Sequence, residues 1–96
     1  MVRHICMFQL KSEDKDHNLK EAFERSQKLK EINLIKEFKV AINDIHAPQN
    51  NYDLCLIFDF ESFEDLDEYQ KHPIHQEFAG FITGVRENRA CIDYIV

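Results

Sequence analysis

The stretch Tyr52-Asp53-Leu54-Cys55-Leu56-Ile57-Phe58-Asp59-Phe60 decides the fold. Tyr52, Leu54, Leu56, Phe58 and Phe60 fall on one side, and Asp53, Cys55, Ile57 and Asp59 on the other, the two-residue period of a strand. The first side is apolar throughout. The second is polar only at its ends, and Cys55 with Ile57 holds its centre. An antiparallel sheet with one wet face alternates apolar with polar residues. A strand that is apolar on both sides at its middle therefore expects a covering layer on each.

Residues 2–10 repeat this pattern, with Val2, His4, Cys6, Phe8 and Leu10 on one side and Arg3, Ile5, Met7 and Gln9 on the other. Between these two strands the spacing changes. Leu19, Ala22, Phe23, Ser26, Leu29 and Ile32 recur every three or four residues and predict a helix with one apolar stripe. Ser12 is expected to cap it, with Glu13 and Asp14 in the first turn, where the helix dipole favours negative charge. A strand at about 35–45 follows, carrying Phe38, Val40 and Ile42. The segment His46-Ala47-Pro48-Gln49-Asn50-Asn51 reads as a loop.

Beyond residue 60, Ser62-Phe63-Glu64-Asp65 has the form of a capping box and opens a short helix with Phe63, Leu66 and Tyr69 on its stripe. Pro73 ends it, because proline has no backbone donor for the preceding turn, yet suits the first turn of a new helix. That second segment carries Ile74, Phe78, Phe81, Ile82 and Val85. A last strand, about 88–96, holds the alternating set Ala90, Ile92, Tyr94 and Val96.

The order βαββαβ predicts an α+β fold of ferredoxin-like plan: one four-stranded antiparallel sheet with helices on one face. Right-handed crossovers place the first and third strands at its centre. Ile5, Met7, Cys55 and Ile57 then lie in the middle of the face without helices, ringed by polar strand ends. An apolar centre with a polar rim is the pattern of a subunit interface. The simplest partner is a second copy related by a two-fold axis, and a larger oligomer is compatible with the same pattern.

Composition narrows the function. The 96 residues allow one domain spanning 1–96. They carry 12 Lys and Arg against 18 Asp and Glu, a net charge of −6. That sign argues against a nucleic-acid partner. No apolar run reaches the roughly 20 residues of a membrane span, and the N-terminus shows no signal-peptide pattern. The expectation is a cytoplasmic protein with no membrane partner. Cys6, Cys55 and Cys91 are odd in number and widely spaced, so a disulfide is not expected and each reads as a small buried hydrophobe. Six carboxylates within residues 59–68, among them Asp59, read as a solvated face.

Chemistry concentrates in Tyr69-Gln70-Lys71-His72-Pro73-Ile74-His75, at the junction of two helical segments. His4 projects from the first strand on the face that meets the helices. If these side chains share a cavity, His75 is the candidate general base, since imidazole titrates nearest neutrality. Tyr69 is the candidate hydrogen-bond donor to developing enolate or alkoxide charge, with His4 beside it. The alternative is that one histidine caps a helix end while the others satisfy buried polar groups. No metal site is expected, because no third close ligand accompanies the histidine pair. His17 and His46 read as surface residues.

At this point the chain resembles the stress-responsive A/B barrel (Dabb) family. The resemblance is carried by Val2-Arg3-His4-Ile5, Tyr52-Asp53-Leu54, Phe60-Glu61-Ser62, the Tyr69–His75 motif and the closing Asp93-Tyr94. It implies ferredoxin-like subunits that pair sheet to sheet into a dimeric α+β barrel. It also implies a pocket between helices and sheet walled by Phe8, Phe23, Leu54, Leu56, Phe58 and Phe78. Bulky side chains there either leave room for a small apolar or aromatic ligand or fill the space, and a filled pocket implies a structural or regulatory oligomer. The family includes a cofactor-free plant polyketide cyclase whose tyrosine and histidines correspond to Tyr69, His75 and His4, so a lyase or cyclase is the enzymatic alternative. The related monooxygenases share the fold, but no residue here points to oxygen chemistry.

Overall fold

The computed structural model describes residues 1–96. Strand β1 (Val2–Leu10) leads into helix α1 (Lys15–Ser26), whose end tightens into a 3-10 turn at Gln27–Glu31. Strands β2 (Glu37–Ile42) and β3 (Leu54–Phe60) follow, then α2 (Phe63–Lys71), α3 (Pro73–Val85) and β4 (Arg86–Ile95). The sheet order is β2-β3-β1-β4 with every neighbouring pair antiparallel, which puts β1 and β3 at the centre. This is the ferredoxin-like arrangement.

Alternation assigns the faces. Val2, Cys6, Phe8 and Leu10 of β1 and Leu54, Leu56, Phe58 and Phe60 of β3 are buried against the helices. The helices answer with Ala22, Leu29, Leu66, Tyr69, Phe78 and Ile82. Phe58 has no exposed surface and stacks on Phe38 of β2 at 4.7 Å between ring centres. Burying a phenylalanine of this kind contributes about 1.5–3 kcal/mol. No helix covers the opposite face. Ile5, Met7, Cys55 and Ile57 are half-buried there among their own neighbours, and β4 adds Ile92, 60% exposed. The polar rim of that face is made of pairs. Arg3 holds Asp59 through two parallel bonds of 2.9 and 3.0 Å, and Asn88 donates to Gln9 at 2.7 Å.

Several local expectations need correction. The N-cap of α1 is Asp14, in the left-handed region at φ 51°, and not Ser12; a short polar side chain tolerates that conformation better than most. Asp59 is not part of a solvated acidic face: it is 4% exposed and paired with Arg3, which holds its carboxyl below the usual carboxylate range. Asp53 is also buried, accepting from the Leu10 amide at 2.8 Å and facing Lys15 at 3.2 Å. The cysteine expectation holds only in part: Cys6 is buried in the core, but Cys91 is exposed and the two are bonded. Cys6 and Cys91 stand opposite each other in the β1–β4 register and form a disulfide. Cys55 alone stays a free thiol, pushed up by burial. No helix is long and apolar enough to cross a membrane.

Candidate functional site

The junction between α2 and α3 is built by His72. It ends α2, and as N-cap of α3 its Nδ1 accepts the Ile74 amide at 3.1 Å. An accepting nitrogen must be unprotonated, so His72 is a structural cap. Pro73 then starts α3, where its missing donor costs nothing. This break carries His75 back over the end of α2. Its Nδ1 lies 2.9 Å from the carbonyl oxygen of Gln70. A carbonyl only accepts, so the Nδ1 proton is donated and Nε2 is left with its lone pair. Burial lowers the pKa of His75 below the ordinary value, outweighing the hydrogen bond to Gln70, and the nearby His4 and Arg89 lower it further. At neutral pH the ring is an uncharged base.

Tyr69 is 1% exposed and wedged among Phe58, Phe60 and His75, with the His75 ring centre 4.6 Å away. Desolvation pushes its phenol well above the ordinary range, which keeps it a neutral donor. No protein group bonds its hydroxyl, yet no fully enclosed side-chain oxygen or nitrogen lacks a partner. Its oxygen therefore opens onto the adjoining space. His4, 6.3 Å from Tyr69 between ring centres, is held by Asp93, the residue opposite it on β4, through Nδ1 at 2.5 Å from Oδ1. The carboxylate fixes the ring and leaves Nε2 free, so His4 is a second oriented imidazole.

These three residues meet at one cavity of about 160 Å³ between α3, the end of α2 and β1. Phe8, Leu56, Phe78 and Ile82 form its apolar walls. Leu54 and Phe58 are packed in the sealed core instead, and Phe23 is half-buried on α1 and does not reach the cavity. Two wider, more open hollows of about 530 and 570 Å³ lie at opposite ends of the uncovered sheet face and contain none of the three. The cavity also has members that sequence reasoning did not pick out, namely Gln70, which accepts from His75 through its carbonyl, and Thr83, Arg86 and Arg89. Asp93 had a signal, the closing Asp93-Tyr94, but its partner His4 is a matter of register.

The structure also supplies the third metal donor that sequence spacing did not. Ligand atoms of His4, Cys6 and Cys91 lie within 4.8 Å of one another. The two sulfurs are joined, however, and a disulfide has no thiolate to offer a metal.

No curated protein matches the sequence. Among solved structures, a dimeric ferredoxin-like protein of unknown function from Bacteroides fragilis is 26% identical, covering 97% of this chain and 93% of its own, with a TM-score of 0.84. A second dimeric ferredoxin-like protein, from Thermobifida fusca, is 21% identical over 99% of this chain and 90% of its own, at 0.88. The hydroxynitrile lyase of Passiflora edulis is 22% identical over 99% and 92%, at 0.83. The last two identities speak for the fold alone. The family profile of the stress-responsive A/B barrel domain matches residues 2–96, and the chain belongs to that family.

Proposed function

We propose that this protein is a homodimer that binds one small aromatic or apolar compound in the cavity under α3. Two copies pair through the uncovered sheet face, with Ile5, Met7, Cys55 and Ile57 at the centre. Support for pairing comes from the apolar middle of that face and from the dimeric state of the ferredoxin-like proteins it resembles. The observation that carries the ligand reading is that neutral His75, with its Nε2 free, and Tyr69, with its hydroxyl free, have their rings in contact and line one cavity with apolar walls. Such a pair offers one acceptor and one donor to a hydroxyl or carbonyl group. A cavity of about 150 Å³ holds a benzene-sized molecule, so the 160 Å³ here suits a single ring.

The experiment is calorimetric titration of the purified protein with phenol and benzaldehyde. Ala79 lines the cavity, and Ala79→Leu fills part of it. Binding by the wild type, lost in Ala79→Leu while the circular dichroism is unchanged, supports the reading. No heat from either probe overturns it.

A second reading, a cofactor-free lyase, has one observation in its favour: His75 and Tyr69 are an uncharged base and a neutral acid in contact. In that role His75 Nε2 takes the hydroxyl proton of an aromatic hydroxynitrile, and the carbonyl forms as the carbon–cyanide bond breaks. The imidazolium returns the proton to the departing cyanide, so that aldehyde and hydrogen cyanide leave and the base is restored. Aldehyde formation above background that disappears in His75→Ala would establish it.

A further inference from the structure

The cavity carries two arginines that no other side chain engages. The chain has four arginines. Arg3 is held by Asp59 and Arg25 by Glu21, each at 2.9 Å. Arg86 and Arg89 have neither an ion pair nor a side-chain hydrogen bond, in a chain with an excess of carboxylates, and both line the cavity. Arg86 follows the last turn of α3, where a cation offsets the negative end of the helix dipole. Arg89 has no such reason. It stands opposite Phe8 in the β1–β4 register, so its side chain rises on the helix-covered face beside the aromatic wall.

The cavity thus combines two kinds of polar group, the hydrogen-bonding set His4, Tyr69 and His75 and the cationic pair Arg86 and Arg89, with Leu56, Phe78 and Ile82 among its apolar walls. Along β1, His4 and Phe8 are separated by roughly 13 Å at the usual strand rise. The arginine side chains are long enough to reach back over part of that distance. A guanidinium fork matches a carboxylate in two parallel bonds, and here Arg86 is half-buried while Arg89 stays exposed at the cavity edge.

We infer that the cavity selects an aromatic acid, with one ring between the apolar walls, its carboxylate at Arg86 and Arg89, and a hydroxyl or carbonyl group at Tyr69 and His75. This rests on the small-molecule reading above and narrows it to an anionic ligand. Within a chain of net charge −6 an anion meets general repulsion, and the two arginines reverse it locally.

The test is calorimetric titration at low salt with 4-hydroxybenzoate, its neutral near-isostere 4-hydroxybenzamide, and phenol. The acid is expected to bind about tenfold more tightly than the amide. Arg86→Gln/Arg89→Gln removes that preference, so that the acid binds no more tightly than the amide; added salt weakens the acid far more than the amide. Neither arginine has a side-chain partner to lose, so the double variant keeps its circular dichroism, and its melting temperature falls only by the small helix-dipole contribution of Arg86. Equal binding of acid and amide overturns the inference while the small-molecule reading stands. A preference that survives in the double variant overturns the arginine assignment. Failure of all three probes to bind overturns both readings.

Discussion

The two faces of the sheet solve one problem in different ways. On the covered face, alternate residues of β1 and β3 are buried by the chain's own helices, and polar groups there are tied to partners: His4 to Asp93, and His75 to Gln70. The free ends of His4, Tyr69, His75, Arg86 and Arg89 all line one cavity. On the uncovered face the middle is equally apolar, but no helix lies over it, and its polar rim pairs with itself in Arg3–Asp59 and Gln9–Asn88. The proposed ligand would answer to the unpartnered polar groups of the covered face, and the proposed second copy to the unpartnered apolar groups of the other.

Adjacent residues of β3 let this contrast be broken from either side. The largest effect is expected from Ile57→Asp, on the uncovered face. A two-fold interface would bury two unpaired carboxylates, each costing several kcal/mol, so the dimer constant falls by at least about four orders of magnitude. Sedimentation velocity should report a folded monomer; a dimer that persists, or a wild type that is already monomeric, removes the pairing. Phe58→Ala, one residue on, acts on the other face. It leaves a void beside Phe38 and Tyr69 and should lower unfolding stability by about 3–5 kcal/mol in urea titration.

The smallest effect concerns the cavity. Burial holds the folded pKa of His75 below that of the unfolded chain, near 6.5. As pH falls below about 6.5, the unfolded state takes up a proton that the folded state resists. Stability is then full above that pH and declines as pH falls toward the folded value, with a slope of at most about 1.4 kcal/mol per pH unit for one proton. His75→Gln should flatten this part of the profile in urea midpoints measured from pH 7 to 5. An unchanged slope would mean that His75 is well solvated.

Strand existence, strand faces and sheet order were legible in the sequence because they follow from local periodicity and chain connectivity. Leu54 to Phe60 alternate whatever they pair with, and Pro73 breaks a helix wherever it lies. The proposed roles of Tyr69, His75 and His4 rested on one motif and one face, and the structure brings those three together. What periodicity does not contain is register. Cys6–Cys91, Arg3–Asp59 and His4–Asp93 join residues 85, 56 and 89 positions apart, and a shift of one strand by two residues would keep every face and break every pair. The disulfide was missed for that reason, as were the burial of Asp59 and the placing of Arg89 opposite Phe8. The alternation of apolar side chains by itself determined which surfaces avoid water. Only the tertiary structure decided which polar atoms meet, because hydrogen bonds and ion pairs depend on separations of a few ångströms that the whole sheet must set at once.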